Sequence, residues 1–333
     1  MGGKLFNLGR LPKKDYSEIE AQVKKYLDNK IPNSYRIPQY YRDKADFGDM
    51  DIIISPELAG KEWHILRQEI TQDLDITQFK VVGNVFSTVY QHLQVDFFTA
   101  PALYLESTYN YLSFNDLGNL IGRICKRFEL KYGEQGLLYV YRQAQGNYQK
   151  DLPITTDMGR ICAFLGLDYP RWRRGFDNLA DLFEWVIASP YFSVEPYLNP
   201  SKTIDKRAKH RPTIERFLAY LTTHNIEKRY VFEEDKSAYL PSIITFFPES
   251  DLAYQIAQEQ AREAYMMEVQ VKFNGKHIMS LIPDLNGIAL GKFILSFKQQ
   301  FVDNEQFESY LIQNPQKIID EKIIALQKIT RLE

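Results

Sequence analysis

The chain has 333 residues, of which 44% are hydrophobic and 25% are charged, and its formal net charge is −2. The hydrophobic share excludes a disordered chain, and the length exceeds the ~250–300 residues at which one core stops growing, so we expect two or three folded units. The near-neutral charge gives no overall footprint for nucleic acid, so any basic binding surface has to be local.

Cysteine content and hydropathy narrow the class of protein further. The two cysteines, Cys125 and Cys162, lie in apolar runs where a thiol usually serves as a small buried hydrophobe, which excludes a disulfide framework and a cysteine-based metal site. The first residues contain no long apolar stretch, and no run of ~18 apolar residues occurs in the chain. We therefore expect a cytoplasmic protein with no membrane partner.

The first hundred residues alternate between helical and extended patterns. The apolar residues of 16–30 recur at helical spacing, and a connection broken by Pro32 and Pro38 follows. MDIIIS is a short β-branched strand, EWHILRQEITQDL is the core of a helix, and KVVGNVFSTVYQHLQVDFFTA contains two strands. These patterns predict a small mixed or antiparallel sheet flanked by helices.

The remainder of the chain is predicted to be mostly helical. Two helices are expected over 101–131, the second capped by Asn115 or Asp116 and closed by Gly133. GLLYVYR and DLPIT form a small sheet, and helical periodicity dominates beyond residue 157. The chain is therefore predicted to have an α+β fold with a largely helical second half.

Three aspartates form the strongest chemical signal. Asp49 and Asp51 lie two residues apart at the start of a strand, so the pleat directs both side chains to one face. Asp96 lies on an apolar strand of the same predicted sheet, and pairing the two strands would bring it to that face. Three hard oxygen ligands suit Mg²⁺. The alternative for the first pair is that it caps a turn beside Gly48.

Such crowding of carboxylates is what phosphoryl transfer requires. The reaction depends on in-line positioning and on neutralising phosphate charge, and two metal ions provide both. Asp49 and Asp51 would bridge two Mg²⁺ ions, with Mn²⁺ as an accepted substitute. Asp96 would contact only the ion that activates the attacking hydroxyl, which makes it the candidate to accept the proton.

Four motifs in order strengthen this interpretation. YYRDKADFGDMDIIIS carries an arginine ahead of Gly-Asp-x-Asp and a strand, and VDFFTAP carries the third aspartate. YLSFNDLGNLIGR places Asn and Arg on a helix after an aromatic residue and a turn, and LPITTDMGRICAFLGLDYPR places a Leu-Pro strand before a final helix. Over about residues 35–170 these motifs resemble the palm and thumb of family X DNA polymerases, the polymerase beta relatives.

The resemblance implies a domain division and a set of site residues. It predicts a nucleotidyltransferase palm over 1–110, a thumb-like α/β segment over 111–170 and a mostly helical region over 171–333. Arg42 would contact the triphosphate, Tyr111 the sugar and Arg123 the template or primer strand. The implied nucleotide-binding residues are Arg42, Gly48, Tyr111, Asp116 and Asn119. The alternatives are that Asp116 only caps its helix and that Arg123 is a solvated basic residue.

The sequence also departs from the family pattern. The Gly-Ser pair that holds a nucleotide phosphate in the family falls at Pro38-Gln39, or at Asn33-Ser34 with an insertion, and the Gly-Ser turn at the palm-thumb junction is replaced by Phe114-Asn115. No room exists before residue 30 for the family's DNA-binding and lyase modules. Templated gap filling is therefore not expected.

Two basic stretches are candidate nucleic-acid contacts. Basic side chains beside aromatic rings can bind phosphates while a base stacks, and an ordinary solvated surface is the alternative. The predicted nucleic-acid-binding residues in these stretches are Arg171, Trp172, Arg173, Arg174, Lys206 and Arg207.

The sequence thus predicts a nucleotidyltransferase that moves a nucleoside monophosphate from an NTP or dNTP to a nucleic-acid 3′-hydroxyl and releases pyrophosphate. The acceptor would be DNA or RNA. A tRNA end is included because Gly-x-x-Leu-Gly in LIPDLNGIALGKF resembles the tail of tRNA CCA-adding enzymes. A protein side chain or a small molecule as acceptor, and a non-enzymatic nucleic-acid-binding module, remain the alternatives.

Overall fold

A five-stranded mixed sheet is the largest β structure of the protein. The computed structural model describes residues 5–143, 147–198 and 211–330. Its strands are β2 (Tyr35–Arg36), β4 (Asp49–Ile54), β5 (Phe79–Val82), β6 (Val85–Tyr90) and β7 (Leu93–Thr99). Their order in the sheet is β2-β4-β7-β6-β5, in which β4 and β7 are parallel and the other neighbours are antiparallel.

Two helices cover one face of this sheet. They are α1 (Lys13–Lys30) and α3 (Trp63–Asp73). In α1 the buried residues recur every three or four positions, and they pack against the alternate strand residues that face the same side. This core includes Tyr16, Ile19, Val23, Leu27, Met50, Ile52, Ile54, Leu66, Ile70, Phe86, Val95 and Phe97. The residues between them on β4 and β7, which include the three aspartates, therefore face the opposite side.

The structure has one strand more than the sequence predicted between residues 80 and 100. Gly83-Asn84 and Gln91-His92 are both two-residue turns, which divide this stretch into β5, β6 and β7. Gln91 and His92 both have positive φ, of 46° and 65°, as in the tight hairpin turns that usually contain glycine. The second turn therefore carries no sequence signal.

A second, three-stranded antiparallel sheet follows helices α4 (Leu105–Leu112) and α5 (Leu117–Cys125). Its strands are β8 (Leu130–Gly133), β9 (Gly136–Arg142) and β10 (Gln149–Thr155). The prediction that Gly133 closes the second helix is wrong. The helix gives way to a 3-10 turn, Glu129 adopts positive φ (56°), and the alternating buried Leu130 and Tyr132 begin a strand instead.

The remaining described elements are short pieces and helices. β1 (Leu11–Pro12) pairs with β3 (Asp46–Phe47). The helices are α2 (Pro56–Ala59), α6 (Met158–Leu165), α7 (Tyr169–Arg174), α8 (Leu179–Ile187), α9 (Glu195–Leu198), α10 (Pro212–Thr223), α11 (Leu240–Phe246), α12 (Leu252–Lys272), α13 (Gly275–Leu281), α14 (Gly287–Lys298), α15 (Asn304–Gln313) and α16 (Gln316–Thr330). The predicted α+β class and the helical second half are confirmed.

The chain divides into two compact units. The first contains Met1–Arg142 and Tyr148–Leu252, and the second contains Gln143–Asn147 and Ala253–Glu333. The second unit has its own core, centred on Ile278, Phe297, Leu311, Ile319 and Ile323. The predicted boundaries at residues 110 and 170 both fall inside the first unit, and the three-domain division stays a prediction. No described helix is both long enough and apolar enough to cross a membrane.

Candidate metal centre

Two parallel strands bring the three aspartates together. Asp51 is the register partner of Asp96, and Asp49 is the partner of Gln94. Each of the three aspartates offers a carboxylate oxygen that lies within 4.8 Å of the other two. The predicted strand pairing is therefore confirmed, and it places all three carboxylates on the face of the sheet opposite α1 and α3.

The pKa values of Asp49 and Asp51 are both raised. Burial raises the pKa of Asp49, and the nearby Asp96 charge raises it further. Burial, Asp49 and Asp96 together raise the pKa of Asp51 to about 7. A raised pKa means that the ionised form of Asp51 is unfavourable in the folded protein, and a bound cation would stabilise that form.

The donor set fits a hard divalent cation. All three groups are carboxylates, and among the described residues no Lys or Arg nitrogen forms an ion pair with Asp49 or Asp51. Mg²⁺ binds to proteins through one or two carboxylates for each ion and keeps the other positions for water and phosphate oxygens. The cluster therefore has the ligand type and spacing that such an ion requires.

Gln94 orients the third carboxylate. Its side-chain amide donates hydrogen bonds to both Asp96 oxygens, at 2.9 and 3.1 Å, and both side chains are buried. The side-chain oxygen Oε1 of Gln94 in turn accepts a hydrogen bond from the backbone N–H of Leu5 at 3.2 Å. The sequence analysis missed this residue. Its signal is a buried amide two positions before Asp96 on the same face of the strand.

Lys44 is the second residue that the sequence analysis missed. Its ammonium group lies 4.3 Å from the centroid of the Phe47 ring and 3.3 Å from the Asn115 side-chain oxygen. Burial lowers the pKa of Lys44, while the negative charges of Asp49 and Asp51 counteract that shift. Lys44 thus places a positive charge between the acidic cluster and the turn before α5.

Arg42 is held by another part of the first unit. Its guanidinium donates to the Asp177 carboxylate at 2.5 Å and to the backbone carbonyl of Arg174, and its backbone N–H donates to the Phe176 carbonyl at 2.9 Å. These bonds direct Arg42 to the segment after α7. Its predicted contact with the triphosphate stays a prediction, as does the nucleotide-binding role of Gly48, which is buried between β3 and β4.

The turn between α4 and α5 has an unusual backbone. Phe114 and Asn115 both have positive φ, of 60° and 61°. Phe114 is fully buried, with its ring centroid 5.5 Å from that of Trp172 and 4.8 Å from that of Phe176. The aromatic packing holds a backbone conformation that non-glycine residues rarely adopt.

Tyr111 and Asp116 lie on either side of this turn. A Cβ on Gly118 would be 2.5 Å from the Tyr111 carbonyl oxygen, so the glycine permits close contact between α4 and α5. Asp116 is the N-cap residue of α5, but its side chain makes no capping hydrogen bond. Its carboxylate instead pairs with Arg211 at 2.5 Å and accepts a bond from the Asn119 amide at 3.4 Å.

Arg123 faces α9. Its guanidinium lies 5.2 Å from the centroid of the Tyr197 ring and donates to the Pro196 carbonyl at 3.4 Å. The half-buried side chain therefore packs against α9, and its assignment as a nucleic-acid contact or as a solvated basic residue stays open. The predicted contact with a template or primer strand is not tested by this position.

The structure corrects one residue of the predicted basic patch. Trp172 is 2% exposed and packs among Tyr109, Phe114 and Tyr169, so its ring has no face open to a nucleic-acid base. The Trp172 side chain lies on the buried side of α7, while the basic residues next to it lie on the exposed side. Arg171 pairs with Asp181, and Arg173 and Arg174 are exposed. Lys206 and Arg207 lie outside the described residues.

Comparison with known proteins adds no relative to this description. No family model matches the chain, and no curated protein is significantly similar to it. The geometry of the acidic cluster and the motif resemblance are therefore the two observations from which a function can be inferred.

Proposed function

We propose that the protein is a Mg²⁺-dependent nucleotidyltransferase whose first unit contains a palm like that of family X DNA polymerases. It transfers a nucleoside monophosphate from an NTP or dNTP to a 3′-hydroxyl and releases pyrophosphate. The observation that carries the proposal is the pairing of Asp51 with Asp96 across parallel strands, with Asp49 on the same face. Two sequence-distant motifs thereby form one cluster, as the resemblance requires.

The arrangement around the sheet supports a palm-like site. One face is covered by α1 and α3 and forms the core, while the carboxylates occupy the other face. Gly-Asp-x-Asp begins β4 and the third aspartate lies on the neighbouring β7. An acidic row on a sheet whose other face is fully packed is a rigid base for positioning substrates.

Each carboxylate has a distinct role in the proposed reaction. Asp49 and Asp51 would hold the two Mg²⁺ ions, and Asp96 would be a ligand for one of them. When bound, the ions would neutralise the phosphate charge and lower the pKa of the attacking hydroxyl. Asp96, oriented by Gln94, accepts the hydroxyl proton as the new O–P bond forms and the bond to pyrophosphate breaks.

The nucleotide is proposed to bind between the acidic cluster and the start of α5. Lys44 supports this position because its ammonium group donates to the Asn115 side-chain oxygen at 3.3 Å. The negative charges of Asp49 and Asp51 also raise the pKa of this ammonium group, against the effect of burial. A positive charge there can contact the phosphates, in the absence of the family's Gly-Ser pair. Tyr111 lies on α4, and Asp116 and Asn119 lie at the start of α5. These three residues would contact the sugar and base.

A nucleic-acid 3′ end is the first candidate for the acceptor. The exposed Arg173 and Arg174 can supply phosphate contacts. The burial of Trp172 removes the stacking residue from the predicted patch, and the net charge of −2 gives no general attraction to nucleic acid. These two observations favour testing a protein side chain and a small molecule as acceptors alongside DNA, RNA and tRNA.

A transfer assay tests the proposal directly. The protein is incubated with each α-labelled NTP and dNTP, with Mg²⁺ or Mn²⁺, and with single strands, duplexes, tRNA or no nucleic acid, which also detects self-modification. Asp51→Asn is the inactive variant, and Asp43→Asn, at an exposed aspartate outside the cluster, is its matched control. We expect metal-dependent label transfer that Asp51→Asn loses and Asp43→Asn retains.

Two results would overturn the proposal. One is equal transfer by wild type and Asp51→Asn. The other is a wild-type protein that neither transfers label to any acceptor nor binds a triphosphate in the presence of metal, which would favour a non-enzymatic module.

A further inference from the structure

The outer edge of β5 has the features of a binding surface. Among the described strands β5 pairs with β6 alone, so its other edge carries unpaired backbone groups. Three of its four side chains are exposed hydrophobics: Phe79 at 54%, Val81 at 45% and Val82 at 55%. Lys80 is the single charge that protects this edge from association. Exposed apolar edges of this kind usually pair with another strand.

The hydrogen-bond pattern shows which backbone groups face outwards. Val89 donates to the Gln78 carbonyl at 3.0 Å, and Val82 and Val85 flank the two-residue turn. Because bonded pairs alternate along an antiparallel ladder, the N–H and C=O groups of Phe79 and Val81 point away from β6. An added strand would therefore bond to these two residues.

A groove lies beside this edge. It has a volume of about 460 Å³ and runs between β5 and α3. Phe79 and Val81 line it because alternate residues of β5 face α3. The other lining residues include His64, Arg67, Thr71 and Phe86. Every second side chain of an added strand would enter this groove, which is how strand addition acquires specificity.

Arg67 defines the chemistry of the groove. Its Nε is buried and has no hydrogen-bond partner among the described residues, and its guanidinium lies 5.9 Å from the centroid of the Trp63 ring. The two acidic residues of α3 are committed elsewhere, Glu69 to Lys61 and Asp73 to Lys30. A buried donor without an acceptor is costly, and a carboxylate is the strongest acceptor for arginine.

We propose that β5 and this groove bind an extended acidic segment of another polypeptide as a sixth strand of the sheet. The backbone of the partner would bond to Phe79 and Val81, and an acidic side chain would reach Arg67. A second copy of the chain fits less well, because the strand Phe-Lys-Val-Val offers no carboxylate to Arg67 and adds another lysine to the edge. The proposal is independent of the nucleotidyltransferase assignment.

Peptide binding tests the proposal on the full chain. The probe is a fluorescent peptide in which valine and glutamate alternate, and the control peptide has lysine in place of glutamate. We expect the glutamate peptide to bind, to slow amide exchange at Phe79 and Val81, and to bind about tenfold more weakly to Arg67→Gln. Arg173→Gln, at an exposed arginine away from the groove, should bind as wild type does.

A second variant guards against a folding artefact. Val81→Pro removes an outward N–H that the added strand needs, and its fold is checked by its melting temperature. Weaker binding by this folded variant would support strand addition. Equal binding of the two peptides, exchange protection away from β5, or unchanged binding by Arg67→Gln would overturn the proposal. Protection of Phe79 and Val81 by self-association without peptide would overturn it in favour of a second copy.

Discussion

Asp51 and Asp96 are register partners on neighbouring parallel strands, but their surroundings differ. Asp96 is buried and receives two hydrogen bonds from Gln94. Asp51 has no side-chain hydrogen bond among the described residues, and burial beside two other carboxylates raises its pKa to about 7. The protein therefore holds the Asp96 carboxylate in place through Gln94, whereas the Asp51 carboxylate has no such partner among the described residues.

This difference predicts that loss of Asp51 abolishes metal binding. Asp51→Asn should lose Mn²⁺ binding, measured by electron paramagnetic resonance, and transfer should fall by ~10²–10⁴-fold. The melting temperature should not decrease, because the substitution removes an unfavourable charge. Asp43→Asn should leave both properties unchanged. A folded Asp51→Asn protein that still binds Mn²⁺ would refute the assignment.

Loss of Asp96 should separate nucleotide binding from chemistry. Asp96→Ala should bind a non-hydrolysable NTP with Mg²⁺ at near wild-type affinity, while single-turnover transfer falls by ~10²–10⁴-fold because the proton acceptor is lost. Ser87→Ala changes the other register partner of Asp96 and is the control for a general disturbance of the strand. Equal activity of Asp96→Ala and wild type would mean that Asp96 has a structural role.

The raised pKa of Asp51 predicts how the stability of the metal-free protein changes with pH. The folded protein holds this proton more tightly than the unfolded chain, so the stabilisation is complete below about pH 4 and is lost as the pH rises through about 7. Between about pH 5 and pH 8 the free energy of unfolding should decrease by on the order of 2 kcal/mol.

Denaturant titrations with and without Mg²⁺ check this prediction. Mg²⁺ should restore the lost stability above pH 7, and Asp51→Asn should show neither the decrease nor the restoration. Metal binding should release protons and weaken as the pH falls below about 7, because the ligand is then protonated. A wild-type protein whose metal-free stability increases over this range would contradict the prediction.

Lys44 is expected to contribute more to the binding of nucleoside triphosphates than to the binding of monophosphates. Lys44→Met preserves most of the side-chain length but removes the charge, so the Kd for an NTP should rise by ~10–100-fold while that for an NMP changes little. Lys61→Met removes a lysine that pairs with Glu69 outside the cluster and is the control. Calorimetric titration measures both ligands, and an equal loss for NTP and NMP would argue against a contact with the terminal phosphates.

Two glycines of α5 provide a matched test of the contact with Tyr111. A Cβ on Gly118 would lie 2.5 Å from the Tyr111 carbonyl oxygen and 2.6 Å from its ring, whereas a Cβ on Gly122 would have its nearest contact at 3.8 Å. Gly118→Ala should therefore destabilise the protein by ~1–3 kcal/mol. Gly122→Ala should be neutral or stabilising, because alanine favours a helix. Thermal unfolding of the two variants compares them directly, and equal melting temperatures would contradict the proposed close contact.

The acidic cluster could be predicted from the sequence because its signals are local. Asp49 and Asp51 share a face by strand alternation alone, and Asp96 lies on β7, a buried strand that the apolar pattern of the sequence indicates. Gln94 shares the strand face of Asp96 by the same alternation, but the spacing alone does not show that its amide donates to the Asp96 carboxylate. Lys44 could not be assigned from spacing, because its role depends on the approach of the Asn115 turn.

The predicted basic patch was wrong at Trp172 because this residue is buried. The sequence shows Trp172 between arginines and gives no sign of the aromatic pocket that surrounds it, because Tyr109 and Phe114 come from distant elements. The turn at Gln91-His92 could not be predicted either, because neither residue favours positive φ. The pairing of β6 with β7 imposes that backbone conformation.

The crossover between β4 and β7 also determines when the metal site can exist. A chain leaving the ribosome presents Asp49 and Asp51 first, and α2, α3, β5 and β6 must all be synthesised before Asp96 follows. Contacts between residues so far apart along the chain form late during folding. The three carboxylates therefore come together only once β4 has paired with β7. Any ion that requires all three as ligands would bind after that step and would not nucleate it.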